Sequence, residues 1–280
     1  MIVDVQSRPD VRGIALDQVG VTDLRYPVTV LDREHEKQQT IAQISLSVNL
    51  PHEFKGTHMS RFIEVLNEHR GELTARTVKT ILEQIKHKLN AECSHLEMRF
   101  PYFLERRAPQ SGACGFMDYE CSFVAELNGG MLDFVLGVQV PVTTLCPCSK
   151  EISDYGAHNQ RGMITVEVRS VLVNGHPSVV WIEELVELAE RCGSAPLYPL
   201  LKREDERYVT MQAYENPVFV EDMVRNVAAE LQRDQRVSWF RVHARNYESI
   251  HNHNVFATCE WPKTNNSHEA SNGLNRTGPV

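Results

Sequence analysis

A cysteine and a histidine twelve positions apart are the residues of this 280-residue chain best suited to metal chemistry. Cys146 lies in the run Leu145-Cys-Pro-Cys-Ser-Lys-Glu151, and His158 opens His-Asn-Gln-Arg161. Zinc accepts thiolate and imidazole ligands, and a loop between the two residues would let both reach one ion. The Cys-x-Cys spacing fits redox chemistry equally well, or two buried thiols in a proline-bounded loop. Spacing alone therefore leaves these three interpretations open.

Two further histidines end the run Glu248-Ser-Ile-His-Asn-His253. On an extended chain His251 and His253 point to the same side, because side chains alternate with period two. They would bind a metal or move protons, or they are hydrogen-bonded sheet residues without a catalytic role. Catalytic zinc usually has three protein ligands and one open position. A cleft that gathered cysteine, histidine and carboxylate side chains would therefore indicate a metalloenzyme.

Acidic residues occur in two short groups. Glu204-Asp205-Glu206 fits a metal carboxylate or an ordinary surface charge run. Glu221 and Asp222 begin a predicted helix, where the helix dipole favours acids whatever their function. Composition does not choose between these interpretations.

The run Lys55-Gly-Thr-His-Met-Ser-Arg61 supplies cations, hydroxyls and a glycine at the start of a predicted helix. Phosphate oxygens bind such groups together with the free N–H groups of a helix start. The run is not a Walker A sequence, so ATPase-type nucleotide binding is not implied. An ordinary capped helix with solvated charges is the equally simple interpretation.

Composition limits the classes of function. A net charge of −8 argues against binding nucleic acid or anionic membranes through bulk electrostatics. The N-terminal sequence lacks the apolar core of a signal peptide, and no apolar stretch reaches the length of a membrane span. Seven cysteines without the spacing of a disulfide framework fit a reducing compartment. We therefore expect a cytoplasmic protein that binds neither nucleic acid nor membrane.

The order of periodic segments predicts an α+β fold. Strand, two helices and further strands occur twice, which predicts two similar modules in tandem. We expect an N-terminal segment at 1–30, a first module at 31–150, a second at 151–261 and a disordered tail at 262–280. The predicted elements are strands at 43–50 and 96–104, a hairpin at 119–140, strands at 164–168, 237–245 and 253–261, and helices at 59–66, 78–89, 182–192 and 220–231.

Five motifs together resemble those of type IB GTP cyclohydrolase I, the bacterial, metal-promiscuous alternative to the zinc-dependent type IA enzyme. The similarity runs in order from about residue 10 to residue 261. The motifs are Lys55-Gly-Thr-His-Met-Ser-Arg-Phe62, Pro141-Val-Thr-Thr-Leu-Cys-Pro-Cys-Ser-Lys-Glu151, Tyr155-Gly-Ala-His-Asn-Gln-Arg161, Tyr214-Glu-Asn-Pro217 and Glu248-Ser-Ile-His-Asn-His253.

This resemblance implies a tunnelling fold, in which two modules of antiparallel sheet with paired helices assemble into barrels that stack as a homotetramer. Active sites would lie at subunit interfaces. The reaction implied is hydrolysis of GTP to 7,8-dihydroneopterin triphosphate and formate, the first step of tetrahydrofolate synthesis. One divalent ion per site, zinc, manganese or iron, would be held by Cys146, His158, Glu206 and His251. Glu221 would anchor the guanine.

From this chemistry we expect a metal-activated water to attack C8 of the purine. The expected catalytic residues are Cys146, His158, Glu248 and His253, with the histidines moving protons to N7 and N9. The triphosphate would need a local cationic cluster on this acidic chain. The candidates for that cluster are Lys55, His58, Ser60, Arg61, Lys150 and Arg161.

Three alternatives remain at this point. The related nitrile reductase of queuosine synthesis shares the fold, but its cysteine is not normally followed by Pro-Cys-Ser-Lys, nor accompanied by the His-Asn-His ending. A metal-stabilised binding module without catalysis and a Cys-Pro-Cys redox protein belong to other classes. Metal-dependent release of formate from GTP would exclude both of these.

Overall fold

A computed structural model describes Gln6 and residues 10–262 of the chain. The predicted disordered tail therefore lies outside the described residues except for Pro262. Within the described part, no helix is long and apolar enough to cross a membrane.

One large antiparallel sheet organises the fold, and its long strands follow the order β1-β2-β3-β4-β5-β6-β10-β11. The strands are β1 (Leu16–Asp32), β2 (Glu36–Leu50), β3 (Cys93–Arg107), β4 (Cys114–Asn128), β5 (Met131–Leu145), β6 (Asn159–Ser170), β7 (Leu172–Val173), β8 (His176–Pro177), β9 (Ala195–Pro196), β10 (Val237–Asn246) and β11 (Val255–Trp261). The helices are α1 (Ser60–Glu68), α2 (Val78–Leu89), α3 (Pro147–Ile152), α4 (Ile182–Cys192), α5 (Arg203–Glu215) and α6 (Val220–Arg233).

Strand directions give the sheet two distinct ends. At the end we call the hairpin end, β1 connects to β2, β3 to β4, β5 to β6 and β10 to β11. At the opposite end, which we call the helix end, β2 and β6 lead into helices, and α2 and α6 lead back into strands. A strand of fifteen residues such as β5 separates the two ends by about 45 Å.

The core lies between one face of the sheet and the helices. Strand β2 alternates buried and more exposed residues, so that Leu46 and Val48 face inward. Helix α2 contributes Ile81, Leu82 and Ile85, all fully buried. Each such side chain contributes about 1.5–3 kcal/mol by leaving water. These apolar repeats are the pattern from which α1, α2, α4 and α6 were predicted, and the predicted α+β class is confirmed.

Two buried tyrosines fasten α4 to the sheet. Tyr102 and Tyr119 are cross-strand partners in β3 and β4. Tyr102 donates a hydrogen bond to Glu183 at 2.6 Å, and Tyr119 donates one to Glu190 at 2.9 Å. Burial raises the pKa of Glu190, although the neighbouring Arg106 guanidinium opposes this. The hydrogen bonds partner one oxygen of each carboxylate, which lowers the cost of burying them, although Glu183 Oε2 has no hydrogen-bond partner.

Six elements were not predicted from the sequence: β1, α3, α5 and the two-residue strands β7, β8 and β9. Strand β1 forms one outer edge of the sheet, and its pairing with β2 shifts register between Leu16 and Val19 and between Val21 and Leu24. Asp23 within the second irregularity has a φ of 57°. Such bulges disturb the alternation of apolar and polar residues on which strand prediction depends.

The division into two modules stays a prediction, but the element order bears on its midpoint. The predicted boundary at 150 and 151 falls inside α3. The order of two strands, helices and two strands starts again at β5, directly after the turn at Gly129 and Gly130. The predicted N-terminal segment at 1–30 likewise includes most of β1.

Candidate functional site

Cys146 lies where β5 ends and α3 begins, at the hairpin end of the sheet. It is the N-cap residue of α3, with extended backbone, and Pro147 follows at the first helical position, where its missing N–H is tolerated. Its Sγ atom accepts a hydrogen bond from the Ser149 backbone N–H at 3.4 Å. The thiol is therefore held at the positive end of a short helix and is partly accessible.

His158 is tied to the same loop through its backbone. The Cys146 N–H donates to the His158 carbonyl at 3.1 Å, and the His158 N–H donates to Ser149 Oγ at 3.2 Å. The imidazole Nδ1 lies 2.9 Å from Gln160 Oε1. Only 12% of the His158 side chain is exposed. The sequence-predicted pair of Cys146 and His158 is thus held on one loop.

The connection between β10 and β11 brings Glu248 to this loop. Glu248 Oε2 lies 4.0 Å from His158 Nδ1, and only 8% of its side chain is exposed. The rings of His251 and His253 stack with centroids 5.0 Å apart, and both residues are exposed. His253 was predicted to begin a strand, but β11 begins at Val255, so both histidines belong to the loop.

Other cysteines are poorer candidates for a thiolate. Burial raises the pKa of Cys192 to about 11 and raises that of Cys121 well above its usual value. Desolvation also raises the pKa values of Cys93 and Cys114. A thiol with a raised pKa is protonated near neutral pH and is a weak ligand and nucleophile.

Asp205 is excluded as a metal ligand by its hydrogen bonds. The side chain is fully buried, and Oδ1 accepts from the backbone N–H groups of Gln110 and Ser111 at 2.8 and 2.9 Å. Oδ2 accepts from the Lys202 N–H at 2.8 Å and from the Ser111 hydroxyl. Oδ2 therefore caps α5, and both oxygens hold the β3–β4 connection. Of the predicted acidic run, Glu204 and Glu206 are left exposed on α5.

Asp205 makes the stability of the fold dependent on pH. Burial alone would raise its pKa, but hydrogen bonds from Ser111, Lys202 and Gln110 outweigh this and hold the pKa well below its usual value. Its contribution to the free energy of unfolding is therefore complete above the pH range in which ordinary carboxyl groups titrate, and it is lost as the pH falls below that range. We expect Asp205→Asn to lower the thermal unfolding temperature at pH 7 by several degrees, because an amide cannot accept all these bonds.

Thermal unfolding of wild type and variant across pH 3–7 measures this effect. The difference should shrink at the acidic end, where the unfolded wild-type chain becomes protonated at Asp205 and the folded carboxylate contributes less to stability. The exposed neighbour substitution Glu204→Gln is the control and should leave the unfolding temperature unchanged. A difference that stays constant across the range would contradict the assignment.

Glu221 lies at the N-terminal end of α6, which begins near the loop that contains Cys146. It is exposed in the first turn of α6. The Val218 N–H just before this helix donates to the Leu145 carbonyl at 3.1 Å, next to Cys146. The structure thus brings the predicted guanine anchor to the hairpin end with Cys146, His158 and Glu248.

The predicted triphosphate residues fall into two groups. Lys150 and Arg161 lie at the hairpin end, where Lys150 Nζ donates to the Tyr214 carbonyl and sits 4.4 Å from the centroid of its ring. The other group begins α1 at the helix end, where Arg61 donates to the Lys88 carbonyl at 2.6 Å. No side-chain cap hydrogen-bonds the first turn of α1. The members of this second group are Lys55, His58, Ser60 and Arg61.

The described residues of one chain show the proposed ligands only in part brought together. Among the described residues, no three or more His, Cys, Asp or Glu side chains lie close enough to hold an ion. Cys146 and His158 share a loop, but Glu206 lies in the first turn of α5, about 12 Å along the helix from Tyr214, which contacts Lys150. The donor types fit a divalent cation.

Residues 2–257 match the family described as Type I GTP cyclohydrolase folE2. The chain belongs to this family. Among its relatives, GTP cyclohydrolase FolE2 of Syntrophotalea carbinolica is 52% identical over 92% of this chain and 95% of its own length. GTP cyclohydrolase FolE2 of Citrifermentans bemidjiense is 54% identical over 92% and 94%, respectively. Membership in the FolE2 family decides against the nitrile reductase and the two non-hydrolytic alternatives.

Solved structures support the fold of this FolE2 chain. Uricase from Arthrobacter globiformis matches with a TM-score of 0.50 and 10% identity, covering 90% of this chain and 96% of that one. A mutant urate oxidase of Bacillus sp. TB-90 gives 0.51 and 11% identity, covering 88% and 98%. At this identity the comparison concerns the fold alone, and it agrees with the predicted tunnelling fold.

Two residues beside His158 were missed by sequence reasoning: Ser149 and Gln160. Ser149 and Gln160 contact His158, and both lie inside motifs that the analysis had recognised. The sequence signals for them are weak. Ser149 is a hydroxyl residue three positions after the N-cap Cys146, and Gln160 is an amide residue two positions after His158. Side-chain contacts decide such roles, and spacing alone does not.

Proposed function

We propose that this chain is a type IB enzyme that converts GTP and water to 7,8-dihydroneopterin triphosphate and formate, the first step of tetrahydrofolate biosynthesis in the cytoplasm. The observation that carries the proposal is the joining of Cys146, His158 and Glu248 at the hairpin end, in a chain of the FolE2 family. A thiol, an imidazole and a carboxylic acid lie close together there, and the proposed guanine anchor Glu221 is exposed at the start of α6 at the same end of the sheet.

The ligands proposed for one divalent ion, zinc, manganese or iron, are Cys146, His158, His251 and Glu206. Thiolate, imidazole and carboxylate together suit these metals. The bound ion would supply Lewis-acid activation of water near neutral pH. Asp205 is committed to capping α5, which leaves Glu204 and Glu206 for this role, and the family resemblance implies Glu206.

The remaining polar groups handle protons and orientation. Hydrolysis at C8 requires a proton at N7 and N9 as the imidazole ring opens. His253 is exposed beside His251 and is free of a strand, so it suits proton transfer to these nitrogens. Glu248, nearly buried with its Oε2 4.0 Å from His158 Nδ1, would set the local charge beside that imidazole.

Glu221 would select guanine through hydrogen-bond donors. A carboxylate accepts from N1–H and from the exocyclic N2–H of guanine together. Adenine lacks this donor pair and would leave the carboxylate facing acceptors, which is unfavourable once the site is closed. Lys150 and Arg161 lie at the same end of the sheet and are placed to approach the phosphates.

We further propose that each site is composite, formed by two copies of the chain. The second cationic group, Lys55 to Arg61, lies at the helix end, about a full strand length from Cys146. The outer strands β1 and β11 leave two sheet edges for a neighbouring chain. Helix α5 buries only Asp205 and Ala213 and exposes Tyr208, Met211 and Tyr214. These features favour closed barrels that stack as a homotetramer.

A mixing experiment tests the composite site. Cys146→Ala and the double variant Lys55→Ala/His58→Ala are each expected to be nearly inactive when pure. Co-refolded in equal amounts, they should regain roughly a quarter of wild-type activity, because half of the pairs are mixed and each mixed pair has one intact site. Turnover is measured from the fluorescence of the oxidised pterin.

Mixing without any regain would overturn the composite site, provided that native mass spectrometry shows mixed oligomers. Two preparations of the same variant, co-refolded in the same way, are the control. They should stay inactive, since every site then carries the same defect.

The experiment that tests the function itself is removal and return of the metal. The purified chain is stripped with a chelator, and GTP turnover is measured after addition of zinc, manganese or iron(II). We expect formate and dihydroneopterin triphosphate only after metal is returned. Full turnover in the stripped protein would refute the role of the metal, and no turnover with any of the three metals would refute the proposed reaction.

A further inference from the structure

A buried threonine sets the direction of the Gln160 side chain. Thr144 in β5 is fully buried and is the register partner of Gln160 in β6. Its hydroxyl lies 3.5 Å from the Gln160 backbone carbonyl, to which it can donate. The same hydroxyl accepts from Gln160 Nε2 at 3.0 Å. The amide NH₂ is therefore turned toward Thr144, and the amide oxygen is turned away from it.

The freed amide oxygen faces His158. Gln160 Oε1 lies 2.9 Å from His158 Nδ1. Since this oxygen only accepts hydrogen bonds, the neutral imidazole must carry its proton on Nδ1. The lone pair then remains on Nε2, the ring atom that points away from Gln160. Glu248 Oε2 is 4.0 Å from Nδ1, beyond hydrogen-bond distance, so the amide rather than the acid makes this contact.

We propose that Gln160 is a positioning residue that locks His158 in the Nδ1–H tautomer and so presents Nε2 as the metal-binding atom. The inference rests on the proposed function. Histidine ligands commonly donate their second ring N–H to such a partner, which fixes the ring and its tautomer. A neutral amide does this without adding charge beside the thiolate of Cys146, and the sheet pairing of Thr144 makes its direction rigid.

The tautomer is measured directly in the full-length, metal-free protein by ¹⁵N NMR of the His158 ring at mildly alkaline pH. Wild type should show a proton on Nδ1. In Gln160→Ala the proton should redistribute between Nδ1 and Nε2. Gln160→Glu keeps an acceptor at this position and should restore the Nδ1–H form. Gln139→Ala removes an exposed glutamine elsewhere on β5 and is the matched control.

Zinc affinity, from competition with a chromophoric chelator, provides the second readout. Gln160→Ala should weaken zinc binding about 10- to 100-fold, which is the usual effect of losing such a partner. Gln160→Glu should recover most of the affinity, and Thr144→Val should fall between because the amide is then free to rotate. A role in stability alone would not reproduce this order.

The proposal is wrong if Gln160→Ala keeps both the Nδ1–H tautomer and wild-type zinc affinity, or if wild type carries its proton on Nε2. These results are separable from a failure of the proposed function. If only the proposed function failed, wild type would show the Nδ1–H tautomer and the variants would follow the predicted order of zinc affinities, but no formate would be released from GTP.

Discussion

Replacing Cys146 with alanine is expected to lower the formation of dihydroneopterin triphosphate about a thousandfold or more, because groups that act as one catalytic unit fail together. The proposed metal site would lose its only thiolate. The side chain is partly exposed and makes one weak hydrogen bond, so the thermal unfolding temperature should stay within about 2 °C of wild type. Pterin fluorescence and calorimetry measure the two quantities.

Cys114→Ala is the matched control for this experiment, since Cys114 is an exposed thiol at the start of β4 with a raised pKa. It should retain wild-type turnover and bound zinc. Near-normal turnover in Cys146→Ala would remove the thiolate from the site. Lost turnover with zinc binding unchanged would show that Cys146 acts on the substrate and is not a ligand.

The second large effect is expected for Glu221→Gln, which should weaken GTP binding about a hundredfold or more. Two hydrogen bonds from guanine to a carboxylate contribute about 1.5–3 kcal/mol each. The glutamine NH₂ would also face the guanine donors instead of accepting from them. Titration calorimetry in the inactive Cys146→Ala background measures GTP affinity without turnover, and ATP serves as the competing nucleotide.

Asp222→Asn is the control for the guanine anchor. Asp222 lies next to Glu221 and pairs with Arg225 at 3.2 Å on the surface of α6. Its replacement should change GTP affinity by less than about threefold, as expected for an exposed ion pair. Equal weakening by both substitutions would indicate general electrostatics. Unchanged GTP affinity in Glu221→Gln would reject the anchor role.

The elements predicted from sequence are those that bury a regular apolar stripe. Helix α6 repeats Val220, Val224, Val227 and Leu231 toward the core, and its pattern is sufficient. Helix α5 turns no such stripe inward, because its apolar residues Tyr208, Met211 and Tyr214 face outward. Periodicity reports burial within one chain, so a helix that buries few apolar residues gives a weak signal.

The site was predictable in part for a related reason. Cys146 and Glu248 follow the ends of β5 and β10, and His158 directly precedes β6; antiparallel strands bring these positions to one end of the sheet. The position of Lys55 was not predictable, since it depends on whether β2 runs toward or away from the hairpin end. The burial of Asp205 beside exposed Glu204 and Glu206 depends on contacts with Ser111, 94 positions earlier.

The irregular pairing of β1 affects which polypeptides can extend this sheet. A long outer strand with evenly spaced, unsatisfied amides is a template for promiscuous strand addition and for amyloid growth. The shifts around Val19 and Asp23 interrupt that spacing in the first half of β1, so an arbitrary extended peptide loses successive hydrogen bonds there. A strand whose backbone has the same irregularities would keep those hydrogen bonds. The bulges thus disfavour pairing of β1 with arbitrary strands, which lowers the tendency to aggregate, while a strand of matching irregular shape can still pair.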